Sequence, residues 1–302
     1  MKILILGGTG AMGVHLSIIL AESGKDVYVT SRTQHKTQQN LNYILGNAQD
    51  EVFLKEVLKR GWDVIVDFMV YSTTSFEKRL GSLLEATEQY VYLSSARVYA
   101  NSETPITENS PRLLDATTDN VFISTDEYAL SKARQENLLL NSKNNNWTII
   151  RPYITYSEER LQLGVLEKEA WLYRALHNRP IAFSADINSK VTTLTYGLDV
   201  AKGISAIIGE KSTLGEAFHI TGQGSVLWKD VLDIYVNVLA NHLGYEPEVL
   251  LQDMTKFSAW HSAKYQIEYD RLYNRTFDNS KIDKYLDTSD FTDTATGLKM
   301  CL

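Results

Sequence analysis

One cysteine and five prolines are all this 302-residue chain holds of the residues that staple a fold or break it. A lone thiol, Cys301, cannot form an internal disulfide, which excludes the small cross-linked secreted scaffolds. Basic charge is also short: 30 Lys and Arg stand against 37 Asp and Glu, a net charge of −7 spread along the chain. That balance supplies no field to draw a phosphate backbone, so nucleic acid is not an expected partner. No apolar run approaches the ~20 residues that cross a bilayer. The apolar stretch before the first glycines, Lys2 to Leu6, is too short for a secretory leader. No membrane partner and a reducing, cytoplasmic setting are the expectations. The six histidines lack close metal-ligand spacing, so no metal is expected. Internal repeats and low-complexity stretches are missing too.

What is there begins at the first residues. Lys2-Ile3-Leu4-Ile5-Leu6 runs straight into Gly7-Gly8-Thr9-Gly10-Ala11-Met12-Gly13 and then into a helical pattern from His15 to Ser23. Strand, glycine turn, helix is the order of a dinucleotide site. Gly7 and Gly8 let the backbone leave the strand in conformations closed to residues with a Cβ, Gly10 lets the main chain approach a pyrophosphate, and Gly13 permits close packing of helix on sheet. The phosphates would rest on the free N–H groups and positive dipole end of the helix.

The second strand, Asp26 to Thr30, is followed by Ser31-Arg32 rather than by the acid that would take a ribose hydroxyl. Ser31 can donate to a 2′-phosphate and Arg32 can pair with it, so NADP is expected before NAD. Asn47, after a third strand at Leu41 to Leu45, could bond the adenine edge.

Apolar runs near 2–6, 26–30, 41–45, 63–70, 90–94 and 147–151 alternate with segments of helical length. The expected architecture is α/β: a Rossmann-type doubly wound parallel sheet with a smaller C-terminal substrate-binding domain. Residues 1–155 form the first part, with a returning segment near 190–210, and 156–302 mainly the second. The polar stretch from Asn101 to Asp126 reads as a long loop that shapes or covers the pocket. Helices are expected at Trp171 to Leu176 and near Lys229 to Leu243, with a strand-like stretch from Lys190 to Tyr196. The five Trp and many Tyr read as core and pocket walls.

Two further signals point to catalysis. Tyr128 and Lys132 stand four apart, one face of a helix, where an ammonium would lower the phenol pKa and fit it for proton exchange. Tyr90 to Ser95 is a strand ending in two serines, at the end where open parallel sheets bind ligands. Ser95 could hold a substrate oxygen for Tyr128.

With these motifs the chain resembles the extended short-chain dehydrogenase/reductase superfamily, the NAD(P)-dependent epimerases and dehydratases. The resemblance rests on the glycine turn, Ser94-Ser95-Ala96-Arg97-Val98-Tyr99, Tyr128 to Lys132, Arg151-Pro152 with Tyr156, Leu198-Asp199-Val200, and Phe277-Asp278-Asn279-Ser280-Lys281. It implies that Ser95 polarises the substrate oxygen and Tyr128 is the general acid/base. Lys132 would lower the Tyr128 pKa and hold the nicotinamide ribose. Further cofactor contacts are expected at Asn47, Ala48, Phe68, Met69 and Pro152, and substrate contacts at Ser95, Arg97, Tyr153 and Thr155. The implied activity is hydride transfer at a hydroxyl or carbonyl carbon of a sugar, nucleotide-linked or not, and the implied assembly a homodimer through two helices of the Rossmann half. Against a nucleotide-sugar substrate, Ile154 and Ser157 stand where such members carry Asn and Gly, and Thr192 stands where they often carry Arg. Ala96-Arg97 replace the acidic pair of dehydratases, and Arg97 could instead bind an anionic substrate or stand solvated or ion-paired. Glu136 is expected to be a structural ion-pair or hydrogen-bond partner. The alternatives are a non-catalytic NADP-binding regulatory protein and an RNA-associated atypical branch, which Trp62 to Phe68 and the Tyr-rich segment resemble.

Overall fold

Ile3, Leu4, Ile5 and Leu6 are wholly buried because strand β1 (Lys2–Leu6) is an interior strand of a seven-stranded sheet covered on both faces. The computed structural model describes all residues from Met1 to Leu302. After β1 come helix α1 (Gly13–Glu22), β2 (Asp26–Ser31), β3 (Leu41–Leu45), α2 (Glu51–Leu58), β4 (Trp62–Asp67), α3 (Thr73–Glu85), β5 (Thr87–Leu93), α4 (Tyr128–Leu140) and β6 (Trp147–Pro152). The last strand, β7 (Glu216–Ile220), arrives from far down the chain and pairs with β6, Phe218 opposite Ile150. All pairs are parallel, in the order β7-β6-β5-β4-β1-β2-β3. The order reverses between β1 and β4, and ligands bind at the carboxyl ends of strands at such a switch point.

Several sequence expectations are corrected here. β4 stops at Asp67 rather than running to Val70, because the Asp67 carboxylate accepts the Met69 N–H at 2.9 Å and turns the chain. The stretch Asn101 to Asp126 is more than a loop: it holds the short helices Leu113–Ala116 and Asn120–Ile123, the second capped by Asp119. It lies along α4, held by Arg134 donating to the Thr125 carbonyl at 2.6 Å and Arg112 donating to Asn137 at 2.7 Å. The outer side of α4 is thereby covered by its own chain. Neighbouring α3 shows solvent Thr74, Glu77, Lys78, Ser82 and Glu85.

The return to the first half is longer than 190–210. Helix α6 (Gly197–Ile207) packs across α1, and β7 follows it into the sheet. Gly197 is needed there, because a Cβ would run into the Ala11 carbonyl of the glycine turn. Before it comes α5 (Lys168–Leu176), and after β7 come α7 (Trp228–Leu243) and α8 (Thr294–Cys301). Their aromatics close the second core: Trp171 stacks on Tyr235 with ring centres 4.3 Å apart, and Trp228, Phe183 and Phe257 are buried around them. No helix is long and apolar enough to cross a membrane.

Candidate active site

The glycine turn leaves β1 at the switch point. Gly7 takes φ +69°, the left-handed region where a side chain is strained, and its N–H donates to Thr30 on β2 at 3.1 Å. Gly8 does not share that conformation. It is fixed by space instead, since a Cβ would meet Ile5 at 2.6 Å. A Cβ on Gly13 would lie 2.5 Å from the Gly8 backbone, so α1 presses on the turn as expected. Around Gly10 a Cβ meets nothing within 4 Å, and Met12 at the head of α1 supplies no side-chain cap. Open space beside an uncapped helix N-terminus suits a pyrophosphate, so these residues fit a dinucleotide.

Of the residues expected to meet an adenosine, Ser31 is buried at the end of β2 with its hydroxyl engaged by the Thr33 N–H at 3.1 Å and His35 Nε2 at 3.1 Å, while Arg32 is exposed to solvent. Ala48 is buried and the Asn47 side chain accepts from the Gln49 N–H at 3.0 Å. Phe68 and Met69 are half-buried, and Met69 sulfur lies over Gly7.

Across the switch point opens a cleft of about 420 Å³. Met12, Ser95, Arg97, Tyr128, Pro152 and Thr155 meet on its walls, brought together from separate stretches of sequence. Lys132 and Tyr128 line an adjoining groove with Val70, Ser72 and Asp126. Of the two serines ending β5, Ser94 has a structural task, its hydroxyl donating to Glu136 at 2.6 Å. Ser95 lies beside the Tyr128 phenol, whose charged form it favours. Tyr153 does not reach the cleft: it is buried, its hydroxyl donating to Asp270 at 3.1 Å, because the chain reverses at Ile154. Ile154 itself sits at φ +33°, costly for a β-branched residue, with its carbonyl taken by the Thr195 N–H at 3.1 Å.

The electrostatics differ from the expectation for Tyr128 and Lys132. Burial holds the Tyr128 phenol above its usual value, and the cation that opposes this most is Arg97, stacked 5.2 Å from the ring centre. Tyr128 still has 37 % of its surface open, so water moderates the rise and the direction alone matters: phenol, not phenolate, at neutral pH. Lys132 turns away, donating to the Leu93 carbonyl at 2.7 Å with its ammonium 4.7 Å from the Tyr92 ring centre. Burial pushes its pKa down to about 8, against the Asp67 and Glu136 carboxylates. Glu136 is the ion-pair partner expected: fully buried, it takes Arg151 at 2.8 Å through two nitrogens and Arg112 at 3.2 Å.

Sequence reasoning missed Arg160, Gln162, Glu167, Gln266 and Arg271 on the same walls. No periodicity or motif links position 271 to position 97. They meet because the segment 264–275 folds back over the cleft, with Asp270 joining Arg97 at 3.7 Å, Arg275 at 3.2 Å, and Arg271.

A parallel sheet in this strand order, with a glycine turn at its switch point, defines a Rossmann-type dinucleotide-binding protein. The chain belongs to the NAD dependent epimerase/dehydratase family, whose model matches residues 3–221. It is 28 % identical over 276 residues to the chloroplast stem-loop binding protein of 41 kDa b of Arabidopsis thaliana, covering 85 % of this chain and 67 % of that one. Among solved structures, the UDP-glucuronic acid 4-epimerase of Bacillus cereus, in complex with UDP-glucuronic acid and NAD, superposes with a TM-score of 0.73 at 18 % identity over 99 % of this chain and 97 % of that one. The epimerase Mth375 of Methanothermobacter thermautotrophicus gives 0.76 at 18 % identity over 99 % and 90 %. At such identities the likeness establishes the fold.

Proposed function

We propose that the protein is a dinucleotide-dependent oxidoreductase or epimerase acting at a hydroxyl or carbonyl carbon of a sugar or similar small molecule. One observation carries this: Ser95 and Tyr128 open into the same cleft as Met12 of the glycine turn. The bound dinucleotide supplies hydride exchange. Ser95 donates a hydrogen bond to the substrate oxygen and orients it towards Tyr128. The Tyr128 hydroxyl gives its proton to that oxygen as an alcohol forms and takes it back in the other direction. A phenol kept protonated at neutral pH favours the donor role in the resting site. Arg97 stabilises the negative charge on Tyr128 when it acts as the base. Lys132 would hold the ribose of the dinucleotide from the groove that it lines with Tyr128.

Ser31 and Arg32 support NADP over NAD, Arg32 being exposed at the end of β2 beside the turn. NAD remains the second choice, since the UDP-glucuronic acid 4-epimerase structure was determined with NAD. The test is titration with NADPH and NADH followed by nicotinamide fluorescence, then turnover of the native protein against Tyr128→Phe with candidate sugars. Loss of turnover with cofactor affinity kept supports the assignment, and retained turnover overturns it. The stem-loop binding relative favours a second reading, an RNA-associated member of the family. That reading requires salt-dependent RNA binding at low ionic strength, and the net charge of −7 weighs against it.

A further inference from the structure

The protein is acidic as a whole, yet the cleft reverses that sign. Its lining carries three arginines, Arg97, Arg160 and Arg271, and a single carboxylate, Glu167. Nearby carboxylates match these cations only in part. Glu127 pairs with Arg97 at 2.6 Å, and the one buried carboxylate of Asp270 is shared by Arg97, Arg271 and Arg275. Arg97 Nε is buried with no hydrogen-bond acceptor, and Arg160 reaches Glu167 only at 3.5 Å and half in solvent. Backbone carbonyls take some of the remaining donors, Gly164 from Arg271 at 2.8 Å and Ala100 and Tyr99 from Arg275 at 2.8 and 3.0 Å, but they leave an excess of positive charge that a further anion would neutralise.

Where that anion would sit is fixed by Arg97. Only Ala96 separates it from Ser95 in the chain, and its guanidinium stacks on the Tyr128 ring at 5.2 Å. A group held there would lie near the carbon whose oxygen faces Tyr128 rather than at the far end of a long nucleotide tail. Ile154 lines the same wall, buried and at φ +33°.

We infer that the substrate is a hydroxy or carbonyl compound bearing its own acid group, carboxylate or phosphate, close to the reacting carbon, and that Arg97 and Arg271 with Arg160 form the subsite for that anion. Planar guanidinium forks suit either acid. This rests on the oxidoreductase reading above and narrows its substrate.

The test is binding and turnover with the protein loaded with NADPH or NAD, using D-glucuronate, glucose 6-phosphate, neutral glucose and UDP-glucose as probes. The acid-bearing sugars should bind, glucose should not, and the preference between the first two tells carboxylate from phosphate. Arg97→Gln and the more exposed Arg160→Gln should each weaken the acid probe by about 10-fold or more while dinucleotide affinity stays unchanged. Equal binding of glucose, a preference for UDP-glucose over both acids, or acid affinity unmoved in both variants overturns the inference. Failure to bind either dinucleotide would instead sink the oxidoreductase reading, so the two failures are told apart by the fluorescence titration alone.

Discussion

Replacing Lys132 by Met should make the protein more stable while weakening its cofactor site. Lys132 is 2 % exposed, and burial brings its pKa from an ordinary 10.5 to about 8. At about 1.4 kcal/mol per pH unit, that fall represents roughly 3 kcal/mol of destabilisation from keeping the ammonium inside. Met fills the alkyl stem without the charge but gives up the bond to the Leu93 carbonyl, a loss of about 1 kcal/mol. The net gain at pH 7 is about 2 kcal/mol, or roughly 4 °C in melting temperature. Its pH dependence follows from proton binding. Between about pH 8 and 10.5 the unfolded chain holds a proton on Lys132 that the folded one has released, so native stability rises with pH through that window. The cost of the buried charge is therefore full below about pH 8 and gone by 10.5. Thermal unfolding followed by circular dichroism at pH 7, 9 and 10 checks this. The Lys132→Met variant should lead at pH 7 and lose most of its lead by pH 10. A variant less stable than the parent at pH 7, or a lead independent of pH, refutes the reasoning.

Arg32→Ala should weaken NADPH binding by about 10-fold and leave NADH nearly unchanged, a charge-assisted contact to the extra phosphate being lost; fluorescence titration decides, and an equal effect on both dinucleotides contradicts the phosphate role. Glu136→Gln should cost about 3 kcal/mol in urea unfolding, because it strands the buried Arg151 guanidinium now bound through two nitrogens at 2.8 Å; a loss under about 1 kcal/mol, the worth of an exposed pair, would show the network to be solvent-screened. Gly297→Ala should destabilise by about 2 kcal/mol or more, since its Cβ would overlap the Tyr156 hydroxyl and push α8 off the second core; an unchanged denaturation midpoint would mean that α8 does not belong to that core.

Local order along the chain was enough to read the form of the glycine turn. Lys2 to Gly13 spells strand, turn and helix because apolar burial, left-handed backbone and close approach each demand particular residues in that order. The spacing of Tyr128 and Lys132 likewise followed from helix geometry, and they do begin one helix. Six of the seven sheet strands were legible as short apolar runs. The seventh, Glu216–Ile220, was not, because nothing in five residues says that they return to pair with β6 after an excursion through the second core. The end of β4 was misjudged for a related reason: Phe68 to Val70 are apolar enough for a strand, and only the Asp67 carboxylate bonding the Met69 N–H turns them away. Which charges meet was settled by assembly of the whole molecule. Folding set Arg97 rather than Lys132 against the Tyr128 ring, withdrew Tyr153 into the Asp270 network, and brought Arg160 and Arg271 to the cleft. Side-chain periodicity reports which face is buried, whereas electrostatic partnership depends on distances between separate segments, 31 residues apart for Arg97 and Tyr128 and 173 for Arg97 and Asp270. Those distances exist only once the sheet, the returning helix α6 and the folded-back segment around Asp270 are assembled.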